Sequence, residues 1–308
     1  MASYSCFNEH NAAPRGAKRI AVYNAAGERI GRIPLGPLQA KSQGERLYTF
    51  AMLADTHCGV ESDGIQLTSY FERALQVLSK REEVEFICIA GDVVEAGSNE
   101  EHWKQYQAAV DTHANGKPVF LSGGNHEQYR YSDLPAKYIG HGIFYVVEKH
   151  GDLFIFLNCQ RFLYQYPGIP DCHVYRVAYL RAIRQIFEEN REKRCFVLHH
   201  TPPLEGLTDY NLDDIQSAYY VPPAWFEEFN MMWFHGHTHS KFSMQERNPN
   251  ANYDESFGFP SVHIPSLGYE QECYIVDVYK NGIHLQGYDI TTENYVPIAT
   301  FWVDYPQR

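Results

Sequence analysis

Apolar residues along this chain follow two different rhythms, and each predicts a different element. Leu47–Ala54 is an apolar run that stops at Asp55. Val84–Ala90 is another, shorter and almost free of polar positions, as expected of a strand covered on both faces. Between them, Leu67, Phe71, Ala74, Leu75 and Leu78 recur at the helical period, which predicts a helix over 66–81. The same reading predicts a helix over 99–114 and a strand at Pro118–Leu121. Tyr145–Val147 and Leu153–Leu157 form a strand pair around 149–152, and a helix over 175–192 turns Val177, Leu180, Ile183 and Phe187 inward. Phe196–Leu198 and Met231–Phe234 are two further short strands. The last fifty residues read as strands only: Ser261–Ile264, Tyr274–Tyr279, Ile283–Gly287 and Pro297–Val303.

Alternating strands and helices imply a partly parallel sheet with helices packed on it, and the late run of strands implies a second, more antiparallel sheet. The chain is therefore expected to be an α/β protein. Residues 46–308 form its main domain. Residues 1–45 read as an N-terminal extension, with a small hairpin of Ile20–Tyr23 and Arg29–Ile33 ended by Pro34, Gly36 and Pro37.

Composition narrows the class. With 44% hydrophobic and 21% charged residues among 308, the chain is an ordinary globular one. A formal net charge of −12 argues against a duplex nucleic acid partner, which calls for a basic face. The seven cysteines are odd in number and contain no Cys-x-x-Cys pair, which reads as a reduced, cytoplasmic protein. The first residues hold no apolar core of a signal peptide, and no run of about 18 apolar residues suggests a membrane span.

The chemistry sits where the strands stop. Leu47–Ala54 is followed by Asp55-Thr56-His57, and Val84–Ala90 by Gly91-Asp92. The strand near 118–122 leads to Gly124-Asn125-His126-Glu127. Phe196–Leu198 leads to His199-His200, and Met231–Phe234 to His235-Gly236-His237-Thr238-His239. One such group means little. Five at strand ends put several carboxylates and imidazoles together, which costs free energy unless something pairs with them, and divalent cations do so directly. Asp-x-His and His-x-His also put alternate side chains on one side of an extended segment.

The ordered series Asp-x-His, Gly-Asp, Gly-Asn-His-Glu, His, Gly-His-x-His resembles the calcineurin-like metallophosphoesterase superfamily over roughly residues 50–240. The resemblance implies a four-layer α/β/β/α sandwich of two mixed sheets flanked by helices. It implies two divalent ions, manganese, iron or zinc, with a bridging water as the nucleophile toward phosphorus. Asp55, His57 and His239 would hold the first ion and Asn125, His200 and His237 the second, with Asp92 bridging. The family places one ligand histidine two residues before a proline, which His200-Thr201-Pro202 fits; His199 is the alternative. His126 would be the catalytic residue that is not a ligand. Glu95, at the position of a carboxylate that pairs with this histidine in phosphoprotein phosphatases, would orient it.

Departures from the family's branches matter as well. Phosphoprotein phosphatases carry phosphate-gripping arginines after Gly-Asp and just before Gly-Asn-His-Glu, and this chain has neither. Purple acid phosphatases carry an iron-binding tyrosine where Glu95 stands. The reading leans toward a small-molecule phosphodiesterase, with a small phosphorylated substrate as partner. A nuclease acting on single strands or ends is one alternative, and a non-catalytic scaffold of the same fold is another. The aromatic-rich stretches 160–176 and 204–222 are candidate specificity loops, and Arg130, Arg161 and Arg176 are candidate phosphate clamps.

Overall fold

Several strands bury nearly every side chain, because each is covered on both faces. In β3 (below), burial runs unbroken from Tyr48 to Leu53, and β9, β11 and β13 bury all of their residues. The computed structural model describes residues 19–23, 29–34, 44–127, 133–139, 144–159, 174–175, 177–203, 218–219, 226, 228–242, 252–255 and 258–304. Arg130, Arg161, Arg176 and most of 160–176 and 204–222 lie outside them.

In chain order, β1 (Arg19–Tyr23) and β2 (Arg29–Pro34) pair as an antiparallel hairpin. Then come β3 (Arg46–Leu53), a two-strand hairpin of β4 (Glu61–Ser62) and β5 (Ile65–Gln66), α1 (Thr68–Ser79), β6 (Val84–Ala90), α2 (Glu100–His113), β7 (Val119–Ser122) and α3 (Leu134–Ile139). They are followed by β8 (Phe144–Lys149), β9 (Asp152–Leu157), β10 (Val174–Tyr175), α4 (Val177–Glu189), β11 (Cys195–His199), β12 (Ala218–Tyr219) and β13 (Met231–His235). Last are β14 (Tyr253–Asp254), β15 (Ser261–His263), α5 (Leu267–Glu270), β16 (Glu272–Tyr279), β17 (Gly282–Asp289) and β18 (Asn294–Asp304).

Two six-stranded sheets result, in the orders β18-β17-β16-β3-β6-β7 and β14-β15-β13-β11-β9-β8. Both are mixed. β3, β6 and β7 run parallel, as do β9, β11, β13 and β15, while the remaining partners are antiparallel. The sheets face each other across an aromatic layer in which Phe50 and Phe86 stack at 5.3 Å and Phe154 meets both edge-on. The outer face of the first sheet packs against Phe71, Leu75 and Leu78 of α1 and Trp103 of α2. The outer face of the second packs against Ile183 and Phe187 of α4. This is the expected α/β/β/α order of layers. At the end remote from Asp55, Tyr48 donates to Asp152 at 2.5 Å and Arg194 pairs with the same carboxylate at 2.8 Å, tying the sheets together.

Helices are shorter than periodicity predicts. Gln66 belongs to β5, so α1 begins at Thr68. β18 starts at Asn294, earlier than Pro297 suggested. The ladder jumps from Gln286↔Thr300 to Gly287↔Val296, so Pro297, which has no N–H to give, falls in the irregularity of an edge strand. The short elements β4, β5, β14, α3 and α5 have too few residues to show a period. Among the described residues, no helix is long and apolar enough to cross a membrane.

Candidate metal centre

Parallel strands in one sheet present their carboxyl ends at one edge, and here both sheets present theirs at the same edge. Asp55, Asp92 and Asn125 follow β3, β6 and β7; His200, His237 and His239 follow β11 and β13. The segments after β3 and β6 continue as neighbours, with Asp55 N–H donating to Gly91 O and His57 N–H to Asp92 O, both at 3.0 Å. Several contacts join the sheets at this edge. His200 Nδ1 donates to Ala90 O at 3.0 Å, and the Asp55 carboxylate accepts the His237 N–H at 3.0 Å.

Three histidines have their tautomers set by these surroundings, because a carbonyl or carboxylate can only accept. Nδ1 of His200 donates to Ala90 O, Nδ1 of His126 to Glu95 O at 2.7 Å, and Nδ1 of His57 to the Glu95 carboxylate at 2.8 Å. In each, Nε2 is the ring nitrogen left facing the site. Glu95 thus meets His126 mainly through its backbone oxygen; its carboxylate lies 3.4 Å from His126 Nδ1 and closer to His57.

Among the described residues, three groups of side chains bring their ligand atoms within 4.8 Å of one another: Asp55, His57 and His239; Asp92, His200 and His237; and His57, Asp92 and His126. His199 is not among them. Its ring turns to the opposite face of β11, where it touches Thr201 and lies 5.4 Å from Trp233. This is the alternation of side chains along a strand.

Several observations fit these groups to cations. The Nε2 atoms of His57 and His239 approach to 3.2 Å, as do Nδ1 of His237 and Nε2 of His200. Ring nitrogens converging on one another are held best by a shared positive ion. Asn125 Oδ1 is buried with no hydrogen-bond partner, as befits a neutral ligand whose partner is an ion. Burial lowers the pKa of His57, which favours the neutral imidazole that ligates. Burial also works against charge on His200, but Asp92 and Asp55 more than offset it and push its pKa up to about 10. Burial raises that of Asp92, yet the facing His200 brings it well below the usual carboxylate range. A proton thus stands on the 2.9 Å Asp92–His200 contact where a cation would otherwise balance the carboxylate.

The backbone here is strained. Asp55, His57, Asp92, His237 and His239 all have φ between 46° and 71°. Left-handed backbone costs a residue with a side chain about 1–2 kcal/mol, so the surroundings must impose it. Glu127 supplies part of the constraint. Its buried carboxylate accepts the N–H groups of Asp92, Val93, Val94 and Gly124, tying the loop after β6 to the loop after β7. Sequence reasoning gave Glu127 no role, although its place beside Asn125 and His126 was the available signal. Asn158, which accepts the Gly123 N–H at 2.7 Å, had no signal at all.

Close packing at Gly236 yields a direct expectation. A Cβ there would run into the Asp55 carboxylate and sit 2.7 Å from the Ala54 Cβ. Gly236→Ala should lower stability by about 1–3 kcal/mol, the usual range for overpacking, and weaken metal binding. Urea melts and metal titration check this; wild-type behaviour in both would mean that Asp55 can move aside freely.

The model of the calcineurin-like phosphoesterase family matches residues 48–241, a span that holds every residue of the three groups. The chain belongs to the calcineurin-like phosphoesterase family. The two-sheet sandwich and the Asp/His groups that could hold metal fit that family. No curated protein matches the sequence significantly. Among solved structures, a purple acid phosphatase from yellow lupin (Lupinus luteus) seeds is similar at 13% identity and a TM-score of 0.55, over 93% of this chain and 59% of the lupin chain. This chain therefore spans about three-fifths of the lupin protein's length, and the likeness is one of fold. A predicted phosphoesterase from Streptococcus pneumoniae matches at 11% identity and a TM-score of 0.41, over 84% of this chain and 98% of the other. Vacuolar Protein Sorting 29 from Cryptosporidium parvum matches at 10% and 0.40, over 85% and 100%.

Proposed function

We propose that this phosphoesterase family member hydrolyses small phosphoesters, diesters in preference to monoesters, on two divalent cations. One observation supports the reading: the Asp92 carboxylate comes within ligand-atom reach of His57 in one group and of His200 and His237 in another. Asp55, His57 and His239 would hold one ion, and Asn125, His200 and His237 the other, with Asp92 shared. Two divalent ions, manganese, iron or zinc, supply Lewis acidity that neutralises phosphoryl charge and makes water nucleophilic near neutral pH.

The chain's own groups do the rest. His126 is half-buried and tethered through Nδ1 to Glu95 O, which leaves Nε2, 3.9 Å from Asp92, as the nitrogen that can hand a proton to the leaving oxygen. Burial lowers its pKa, but Asp92 and Glu95 outweigh that and raise it above the ordinary value of 6.5. The Glu95 carboxylate steadies His57. The preference for diesters rests on missing cations. Val93 and Val94, next to Asp92, are core residues, and Gly123 stands just before the Gly-Asn-His-Glu motif, so neither place offers a charge to grip a dianionic monoester. The net charge of −12 supports a small ester over a nucleic acid. The buried thiols of Cys58, Cys88, Cys195 and Cys273 support a cytoplasmic location; Cys6 and Cys172 lie outside the described residues.

Titration of metal-free protein with manganese or zinc should show two equivalents bound. The loaded protein should hydrolyse bis(p-nitrophenyl) phosphate faster than p-nitrophenyl phosphate. Loaded protein that cleaves neither would end the proposal.

Proton linkage gives a second expectation. A histidine whose folded pKa is raised adds stability to the metal-free protein below about pH 6.5. That stability fades as pH rises toward the His200 value of about 10. Metal must displace the same proton, so affinity should climb over that window, with release of a proton at pH 7. Calorimetry in buffers of different ionisation enthalpy measures the release; a titration heat independent of buffer would contradict it.

A further inference from the structure

The mouth of the metal centre carries an aromatic ring that the hydrolytic chemistry leaves unused. Tyr269 lies on α5, a single turn bolted to the segment that bears Asp55. Leu267 N–H donates to Ala54 O at 2.9 Å and Gly268 N–H to Asp55 O at 3.0 Å. The Ser266 hydroxyl donates to Asp55 O at 2.9 Å while accepting the Tyr269 N–H. A short helix with these anchors holds its side chains in place.

The Tyr269 ring stacks on His239 at 5.1 Å with a 25° tilt and meets His57 edge-on at 5.5 Å. It is 40% exposed, unlike the rings of the core. His126 lies 4.9 Å from His57 in turn. A single imidazole, that of His57, thus touches both the proposed proton donor and the tyrosine.

From this arrangement we infer that Tyr269 is a binding platform for a flat aromatic group carried by the ester, an aryl ring or a nucleobase. The inference rests on the phosphoester reading above and adds the class of substituent to it. An ester whose leaving oxygen is served by His126 has its substituent one imidazole's width from the tyrosine. A flat group there gains a stacking partner that is already rigid, so little ordering entropy is lost on binding. An aliphatic group of similar charge gains much less.

The test uses two unreactive anions, phenylphosphonate and methylphosphonate, titrated calorimetrically into manganese-loaded full-length protein, with bound metal measured in every variant. Wild type should bind phenylphosphonate about tenfold more tightly than methylphosphonate, in the range of one aromatic stack. Tyr269→Ala should lose that ratio with its metal content and methylphosphonate affinity unchanged, and Tyr269→Phe should keep it. Equal binding of the two anions by wild type would overturn the platform and leave the phosphoester reading standing. So would a Tyr269→Ala variant that loses metal, since the ring would then only be supporting His239. Loaded protein that binds neither anion would sink the phosphoester reading itself.

Discussion

Asp92→Asn should strip the protein of both ions and of activity together. The Asp92 carboxylate does three things at once. One oxygen accepts the His126 N–H at 2.9 Å, the other faces His200 Nε2 at 2.9 Å, and the group belongs to two of the three ligand groups. Asparagine keeps the shape but loses the charge and turns one acceptor into a donor. That donor is repelled by the His126 N–H, so it turns to His200 Nε2 and occupies the lone pair that a metal would need. Loss of a partner that only supports a ligand costs 10–100-fold in metal affinity; loss of a shared ligand should cost more than about 100-fold. Equilibrium dialysis followed by elemental analysis reads the outcome. An Asp92→Asn protein holding two ions at wild-type affinity would remove the basis for a shared centre.

His126→Ala separates the two halves of the reading. The side chain is 32% exposed, its Nδ1 is used by Glu95 O, and its Nε2 is 3.9 Å from the nearer Asp92 oxygen. It can be removed without uncovering a buried charge. Metal content should stay at the wild-type level while turnover falls about 10²–10⁴-fold, the usual worth of a positioned proton donor. The pH profile adds a check. An acid with a raised pKa acts while protonated, so wild-type turnover should decline as pH rises through that pKa, above 6.5. The variant should lack that limb. A variant that loses its metal would make His126 a ligand, an outcome that the third group of side chains makes worth testing.

Much of the fold was legible because it is written in local periods. Runs such as Phe50–Leu53 and Phe86–Ala90, too short for helices and bounded by polar residues, read as strands covered on both sides, and the spacing of Phe71, Leu75 and Leu78 fits one side of a helix. The candidate site was legible for a different reason. Each polar group is attached to the end of a strand, so the sequence records which residues sit at edges, and the order of the groups supports the family resemblance.

The meeting of those edges is another matter. Asp55 and His239 are 184 residues apart, yet lie 3.0 Å from each other. They meet because β3 and β13, in different sheets, present their carboxyl ends at the same edge of the sandwich. Strand order and sheet packing are not encoded in any local window. The same limit explains Glu95, whose carboxylate was expected at His126 and lies nearer His57, because the loop after β6 runs beside the segment after β3. It also explains Tyr269, which reads as an unremarkable residue in a short turn until α5 is seen hydrogen-bonded beneath Asp55. The sequence by itself determined the secondary elements and the identity of the polar residues at their ends, since both follow from neighbours in the chain. Only the tertiary structure decided which ends share a pocket, which histidine of the 199–200 pair turns into it, and which backbone angles are forced left-handed, since these depend on contacts between segments far apart in sequence.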